Sequence, residues 1–414
     1  MRGRKVNKRK IFNDPVYGFV TIPDEIVFDL VEHSYFQRLR RIKQLGLTHL
    51  VYPGALHTRF QHSLGAMYLM TKALSELRFK GHNISDDEFI GTSIAILLHD
   101  IGHGPYSHAL ENSIVDEVTH EQISELIMKK LNIEFGGALE GAISIYNGRS
   151  NKKFLTKLIA GQFDMDRLDY LKRDSFFTGV SEGTVNYERL LSMINIHDGK
   201  IVIEEKGIYS VEKFLTARRL MYWQVYLHKT VLVAEYTIMK VLKRARELTM
   251  NGVKLFASPA LNFFLNRVTT FDDFENNPEV LKCFSQLDDY DISTSMKVWC
   301  NSDDFILSSL CKSIINRRLL KIEMQSEPFE PERINVIRNA VMKKYSLSNE
   351  EVDYLVIHDK TTNYKYKQSS GNIDILQKSG QVVDISNISD ELNISVLNKP
   401  TTRYFLSWPK NLIE

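Results

Sequence analysis

The sequence predicts a mainly α-helical protein with a smaller C-terminal α+β lobe. Between residues 35 and 243, apolar side chains recur at intervals of three and four, which is the spacing of amphipathic helices. Beyond about residue 301 the composition shifts towards short segments that alternate or are rich in β-forming residues. We therefore expect an N-terminal segment and helical domain over residues 1–300 and an α+β lobe over residues 301–414.

The composition is that of an ordinary globular protein. The 414 residues are 43% hydrophobic and 25% charged, and the net charge of +2 gives no strong nucleic-acid signal. The basic N-terminus is not followed by the apolar stretch of a signal peptide, and no apolar run approaches the ~20 residues of a membrane helix. Cys283, Cys300 and Cys311 lack Cys-x-x-Cys spacing, so we expect reduced thiols and a cytoplasmic protein that does not bind membranes.

The N-terminal region predicts turns followed by one short helix. Residues 13–23 contain Asp, Pro and Gly, which are typical of turns that join a short pair of strands. Ser34 is expected to cap a helix over residues 35–45, which Gly46 would end. One interpretation of the cations of this helix is a solvated face, formed by Arg38, Arg40, Arg41 and Lys43.

Three helix starts are predicted downstream. Apolar residues recur at helical spacing from Leu64 onward, so His62 should lie at or just before a helix start. Residues 86–98 predict a helix that ends directly before His99 and Asp100. The sequence Thr-His-Glu-Gln at residues 119–122 fits a capping box and places His120 in the first turn, where N–H groups favour anions. A purely structural role for this histidine is the alternative.

The rest of the chain predicts further helices and then strands. Helical segments are expected over residues 154–159 and 163–170, and one long helix over residues 211–243. Strands are expected over residues 352–357, 364–367, 374–377, 381–385 and 404–408. The Ser-Gly pair at residues 379–380 would form a hairpin turn between two of these strands.

The chain is organised around residues 94–111, where an apolar run leads directly into a cluster of imidazoles and carboxylates. This cluster contains His99, Asp100, His103, His108 and Glu111. Apolar residues that support clustered His and Asp side chains are typical of a buried metal site, because the ligands must be desolvated and held rigidly. For His103, the alternative is a buried histidine with only a structural role.

Two distant segments extend the pattern. Residues 57–65 contain His62, and residues 164–174 contain several carboxylates, which could also form the polar face of a helix. Together the three segments resemble the H…HD…D pattern of the HD-superfamily metal-dependent phosphohydrolases. More narrowly, the chain resembles the deoxynucleoside triphosphate triphosphohydrolase branch of SAM- and HD-domain enzymes. The resemblance covers residues 10–229 and implies an HD-domain helical core.

The resemblance also implies roles for individual residues. The implied metal ligands are His62, His99, Asp100 and Asp166. This mixed set suits divalent iron, manganese, nickel, zinc or magnesium without choosing among them. The implied substrate-binding residues are Gln44, Arg59, His103, His120, Arg167, Tyr170, Asp174, Arg218 and Tyr226.

The expected acid–base pair is His108 with Glu111. Three residues separate them, so they share one face if their segment is helical, and a carboxylate can orient an imidazole that moves a proton. The family usually has Asp at the position of Glu111, and the longer side chain makes the fit of this pair a point to test.

The expected reaction is metal-dependent hydrolysis of dNTP to deoxynucleoside and triphosphate. The alternatives are HD-type hydrolysis of a nucleoside monophosphate or cyclic nucleotide, and non-catalytic sensing of a nucleotide. The family resemblance further implies a homo-oligomer, at least a dimer, and a regulatory site for a nucleotide activator. The residues at comparable positions are Lys10, Asn13, Asp14, Gln37 and Arg40.

Overall fold

The structure, a computed structural model, describes residues 10–106, 113, 115, 118–363, 372–389 and 401–412. Most of these residues are helical, as the sequence predicts. The helices are α1 (Glu25–Glu32), α2 (Ser34–Gln37), α3 (Arg59–Phe79), α4 (Asp86–Leu98), α5 (His120–Glu134), α6 (Glu140–Tyr146), α7 (Lys153–Ile159), α8 (Met165–Thr178), α9 (Tyr187–Ser192), α10 (Ile208–Met221), α11 (Lys229–Met250), α12 (Pro259–Leu265), α13 (Phe271–Asn276), α14 (Pro278–Phe284), α15 (Asp289–Trp299), α16 (Phe305–Ile315) and α17 (Pro331–Tyr345).

The strands of the described residues form three small sheets. They are β1 (Ile11–Asp14), β2 (Gly18–Thr21), β3 (Ile194–His197), β4 (Lys200–Glu204), β5 (Lys321–Gln325), β6 (Ile357–Asn363), β7 (Asp374–Leu376), β8 (Val382–Asp384) and β9 (Thr401–Trp408). The pair β1–β2 is the expected antiparallel hairpin. Strand β9 lies between β5 and β6 and pairs antiparallel with both.

The third sheet joins distant parts of the chain. Strands β3 and β4 form a hairpin, β7 adds to β4 in parallel, and β8 completes the order β3-β4-β7-β8. Two strands of the predicted C-terminal lobe therefore extend a sheet that begins within the predicted helical domain. The domain boundary at residue 300 stays a prediction.

Helix α3 lies at the centre of the helical core. It packs against α4 and α8 through a nearly continuous set of buried side chains. Because residues of all three helices belong to the candidate site, this packing determines the geometry of the site. In the described part of the chain, no helix combines the length and hydropathy needed to cross a membrane.

Local capping signals predicted several helix starts correctly. Helix α4 begins after Ser85 with a capping box that Glu88 completes, and α5 begins after the capping box of Thr119 and Gln122. Both termini are specified by side chains within four residues of the cap, which is why the sequence alone reveals them. The predicted hairpin turn before Gly380 is also present, with a positive φ of 85° at that glycine.

The predicted helix over residues 35–45 is wrong in its extent. Helix α2 ends at Gln37, a 3-10 turn covers Arg38–Arg41, and the side chain of His33 is the N-terminal cap in place of Ser34. The chain then extends, because the backbone N–H of Lys43 donates to Asp289 and Lys43 pairs with Thr58 in an isolated bridge. These partners are distant in sequence.

The predicted single helix over residues 211–243 is interrupted. Helix α10 ends at Met221, a π-helical turn covers Tyr222–Tyr226, and α11 begins after His228, whose backbone is extended. The hydroxyl of Tyr52 donates to the carbonyl of Gln224 within the turn. Apolar periodicity continues on both sides of the break, so it could not reveal the interruption.

One strand prediction is partly wrong, and another falls outside the described residues. Part of the predicted strand over residues 352–357 is a 3-10 turn, Glu351–Tyr354, and β6 begins only at Ile357. The predicted strand over residues 364–367 lies outside the described residues.

Candidate metal centre

Three side chains from three helices converge on one point. His62 lies in the first turns of α3, His99 is the C-cap of α4, and Asp166 lies in the first turn of α8. Oδ1 of Asp166 is 3.1 Å from Nε2 of His62 and 3.4 Å from Nε2 of His99. These three atoms lie within 4.8 Å of one another, so the group could hold a metal ion.

The two imidazoles have the orientation that metal ligation requires. Nδ1 of His62 donates to Oδ2 of Asp169 at 2.8 Å, and Nδ1 of His99 donates to the carbonyl of Ile96 at 2.6 Å. Each Nε2 atom is buried without a well-aligned hydrogen bond. Buried polar atoms normally have partners. Since metal-binding histidines commonly donate their other N–H to a carboxylate or carbonyl, these residues fit a divalent metal ion.

Asp100 lies between this group and a second one. Its Oδ1 is 3.3 Å from Nε2 of His99 and 3.4 Å from Nε2 of His103, whereas its Oδ2 is 3.8 Å from Nε2 of His62 and accepts from Arg59 at 2.6 Å. Asp100, His103 and His120 form a second group with potential ligand atoms within 4.8 Å. The structure thus brings the four predicted ligands close together, although Asp100 belongs to the second group.

The electrostatics of the site favour a cation. Burial disfavours the charged form of His62, but the carboxylates of Asp166 and Asp169 outweigh burial and raise the pKa of His62 to about 10. Burial also opposes ionisation of Asp166, whereas contacts with His62 and His99 hold the pKa of Asp166 below its ordinary value. A proton on the His62 imidazole therefore supplies the positive charge that a metal ion would otherwise supply. Metal binding would release this proton.

His103 has a different environment. Burial, together with the nearby charge of Arg59, lowers the pKa of His103 to about 3. Its ring stacks on His120 with the ring centroids 3.7 Å apart. A neutral imidazole at this position can hydrogen-bond a ligand without adding charge.

A layer of buried ion pairs supports the first metal group. Asp169 accepts from both His62 and Arg173, and Arg173 also donates to Oδ2 of Asp14 at 2.7 Å. The approach of α3 to α8 requires Gly65, because a Cβ atom there would lie 2.0 Å from Oδ1 of Asp169. Sequence reasoning missed Asp169 and Arg173 as supporting residues, although their spacing of four on one helix is typical of an ion pair.

Arg38 holds the turn that follows the His-Asp pair. Its fully buried guanidinium donates to the carbonyls of Ile101 and His103 at 2.9 and 2.8 Å, and to that of Leu287 at 3.3 Å. The interpretation of Arg38 as part of a solvated face is therefore wrong. The turn also requires glycine at position 102, because a Cβ atom on Gly102 would lie 2.2 Å from the carbonyl oxygen of His120.

A wall of predicted substrate residues extends from Asp166 along α8. Tyr170 and Asp174 follow at intervals of four, so the three side chains share one face of the helix. The rings of Tyr170 and Tyr226 lie 6.0 Å apart, and the Tyr226 hydroxyl donates to Asp174 at 2.7 Å. His57 contacts the other oxygen of Asp174 at 2.7 Å.

Two predicted arginines border the same wall. Burial raises the pKa of the Tyr170 hydroxyl, and the charges of Arg218 and Arg167 oppose this shift. Nη1 of Arg218 donates to Oε1 of Gln162 at 3.0 Å, and Arg167 donates to the carbonyl of Gly161. The site therefore combines a candidate metal group with three arginines, since Arg59 contacts Asp100.

The remaining predicted site residues have separate outcomes. The backbone N–H of Gln44 donates to the carbonyl of His57, which places this residue next to the partner of Asp174. The predicted acid–base pair, His108 and Glu111, lies outside the described residues. Its geometry stays a prediction.

The predicted regulatory residues lie near the N-terminal hairpin. Nε of Arg40 donates to Oε1 of Gln37, and the guanidinium lies 3.6 Å from the centroid of the Phe60 ring. Nζ of Lys10 lies 4.1 Å from the centroid of Phe28, and Asn13 lies in β1. Asp14 differs from the others, because its carboxylate is engaged by Arg173 and by the N–H groups of residues 16 and 17.

Comparison with known proteins agrees with the fold. The HD domain family matches residues 59–174, and the HD associated region matches residues 185–258. The crystal structure of a phosphohydrolase from Bacteroides thetaiotaomicron covers 97% of this chain and 100% of its own, with 49% identity and a TM-score of 0.94. The uncharacterized protein YwfO of Bacillus subtilis is 33% identical in an alignment 427 residues long. The alignment covers 99% of this chain and 94% of YwfO.

A more distant relative has a named activity. The deoxynucleoside triphosphate triphosphohydrolase SAMHD1 homolog of Dictyostelium discoideum is 32% identical over 249 residues, which cover 55% of this chain and 48% of that protein. The matched HD domain contains all four residues of the His62, His99, Asp100 and Asp166 cluster. The chain therefore belongs to the HD-type phosphohydrolase family.

Proposed function

We propose that this protein hydrolyses dNTP to deoxynucleoside and triphosphate with the help of a divalent metal ion. The observation that carries the proposal is the convergence of His62, His99 and Asp166 near three arginines. Several cations near one metal group suit a long polyphosphate chain better than a single phosphate. The similarity to the SAMHD1 homolog over half of this chain supports the same substrate.

The wall beside α8 would bind the nucleotide. Arg59, Arg167 and Arg218 offset phosphate charge, while Tyr170 and Tyr226 provide flat surfaces for the sugar or base. Asp174 holds the Tyr226 hydroxyl in place through a 2.7 Å hydrogen bond. A divalent ion held by His62, His99, Asp100 and Asp166 would supply charge for the phosphoryl oxygens and lower the pKa of a water molecule.

Proton transfer is assigned to His108, with Glu111 as its orienting partner. The loss of a deoxynucleoside leaving group requires a proton on its 5′ oxygen, and an imidazole can supply it near neutral pH. Glu111 stands where the family usually has Asp, so the fit of this pair is a point to test.

The proposal also includes assembly and regulation. We assign a nucleotide-activator site to Lys10, Asn13, Asp14, Gln37 and Arg40. We also expect a cytoplasmic homo-oligomer. Sites between subunits link nucleotide binding to assembly. We also retain the division into a helical domain of residues 1–300 and a lobe of residues 301–414.

Product analysis separates this proposal from its alternatives. The metal-reconstituted protein should be incubated with each of the four dNTPs, singly and mixed, and with nucleoside monophosphates and cyclic nucleotides. Chromatography should detect deoxynucleoside and triphosphate. Turnover of the monophosphates or cyclic nucleotides alone would favour another HD phosphohydrolase, and binding without any product would favour a nucleotide sensor.

A further inference from the structure

A cavity of about 450 Å³ lies outside the candidate metal centre, between helix α7 and the β3-β4-β7 sheet. Its volume is within the range of small-molecule sites. The walls are mostly apolar and include the buried side chains of Phe154, Phe163, Ile203 and Ile373. Two aromatic rings among aliphatic side chains suit a flat, largely apolar group.

The rim of the cavity is basic. Lys153 and Lys157 lie four residues apart on α7, and Lys200 begins β4 on the opposite side. Like charges at this helical spacing destabilise the helix, and an anion between them would relieve the repulsion. Nζ of Lys153 donates to the carbonyl of Gly148 at 2.8 Å. Against three lysines, the described lining contributes one carboxylate, Asp374.

Polar groups within the walls can hydrogen-bond a heterocyclic base. The amides of Gln162 and Asn372 and the carboxyl of Asp374 line the cavity among the apolar residues. Burial and the neighbouring Asp384 raise the pKa of Asp374, and Lys200 opposes this shift. Amide and carboxyl groups at the edge of an apolar slot are typical of sites that orient a base by hydrogen bonds.

One wall of the cavity belongs to the same segment as the candidate metal centre. Gln162 lines the cavity and also accepts from Arg218, while the carbonyl of Gly161 accepts from Arg167. The N–H of Gly161 donates to Asp164, the N-cap of α8, two residues before Asp166. Residues 161–166 thus connect the cavity to two arginines and one candidate metal ligand.

We propose that this cavity is a nucleotide effector site, with the phosphates at Lys153, Lys157 and Lys200 and the base between the apolar walls. A ligand that fixes residues 161–163 would fix the positions of Arg167 and Arg218. Substrate and effector affinities then change each other reciprocally. The binding site stands on its own observations, whereas its effector role rests on the proposed phosphohydrolase function.

Direct binding tests the site. Isothermal titration of the metal-loaded full chain with ATP should be compared among the wild type, Lys157→Glu/Lys200→Glu and Ile201→Trp. Ile201 also lines the cavity, so tryptophan at this position would fill it. Lys213→Glu/Lys297→Glu, on two exposed lysines of α10 and α15, is the control with the same change of charge. We expect ATP binding to weaken by roughly tenfold or more in both cavity variants and not in the control. Inorganic tripolyphosphate should bind more weakly than ATP.

The outcomes separate the site from its role. Equal ATP affinity and stoichiometry in all four proteins would overturn the site, as would no binding to the wild type. If the site exists, ATP should change kcat or KM for a dNTP in the wild type and the control but not in the cavity variants. Cavity binding without any such change overturns the effector role alone. If no protein turns over dNTP, the proposed function fails, and the titration still decides the site.

Discussion

Asp169 accepts a hydrogen bond from Nδ1 of His62 at 2.8 Å, and both side chains are completely buried. This contact fixes the ring so that Nε2 faces Asp166, 3.1 Å away. Arg173 in turn holds Asp169 through both of its carboxylate oxygens. The geometry of the candidate metal centre therefore depends on a residue that would not itself touch the ion.

We predict that Asp169→Asn weakens metal binding by about 10- to 100-fold while the protein stays folded, because loss of such supporting partners has this effect at other metal sites. Metal content by mass spectrometry after dialysis, with circular dichroism as the check of folding, measures it. Asp166→Ala should lose most of its metal, and Asp198→Asn, an exposed change, should lose none. Wild-type affinity in Asp169→Asn would contradict the supporting role.

His108→Ala should retain metal and nucleotide binding but lose roughly 10²- to 10⁴-fold in kcat, as expected for loss of a general acid or base. Single-turnover kinetics would isolate the chemical step. His82→Ala is the control, because His82 contacts Asn195 and is not one of the predicted site residues. Near-normal turnover in His108→Ala would remove this residue from the mechanism.

Arg40→Ala tests the regulatory assignment. If the N-terminal site binds an activator, a second nucleotide should stimulate hydrolysis of one dNTP in the wild type, and Arg40→Ala should lose most of that stimulation. The exposed Arg149→Ala provides a control for the loss of one positive charge. Equal stimulation in all three proteins, or none in any, would count against a regulatory role for Arg40.

Asp304 should make stability depend on acid pH. It caps α16 and pairs with Arg244 at 2.6 Å. Partial burial opposes its ionisation, but Arg244 and the N–H of Leu307 outweigh burial and hold the pKa of Asp304 below its ordinary value. Because the pKa is lower in the folded state, the stabilisation is complete above the unfolded-state pKa of about 4 and is lost as pH falls through the folded-state pKa.

Urea unfolding at several pH values measures this effect. At pH 7, Asp304→Ala should lower the free energy of unfolding by about 0.5–2 kcal/mol, the usual contribution of a helix cap, and the deficit should shrink below about pH 4. The exposed neighbour Asp303 provides the control, since Asp303→Ala should have little effect. A deficit that is the same at pH 3 and pH 7 would contradict a stabilising role for the ionised Asp304.

Local sequence signals predicted the elements that carry the site. The end of α4 at Leu98 follows from its cap at Ser85 and its apolar run, so the position of His99 could be predicted without tertiary information. The start of α5 at His120 follows in the same way from its capping box. The convergence of His62 and Asp166 was expected from the family resemblance, because residues so far apart carry no local signal of contact.

Contacts over long distances explain what the sequence did not reveal. Arg38 looked like an exposed cation, yet it is buried because the carbonyls of residues 101, 103 and 287 surround it. The break before α11 depends on a π-helical turn that Tyr52 contacts from far away in the chain. Asp14, predicted to belong to the regulatory nucleotide site, also accepts from Arg173, which holds Asp169.

We propose that a water molecule attacks the α-phosphorus of a dNTP at the centre formed by His62, His99 and Asp166. Hydrolysis of dGTP in ¹⁸O-labelled water, followed by ³¹P nuclear magnetic resonance and mass spectrometry, tests it most directly. We predict labelled triphosphate, unlabelled deoxyguanosine and no products with Asp166→Ala. Label in the nucleoside, release of pyrophosphate or orthophosphate as the first product, or undiminished turnover in Asp166→Ala would contradict the claim.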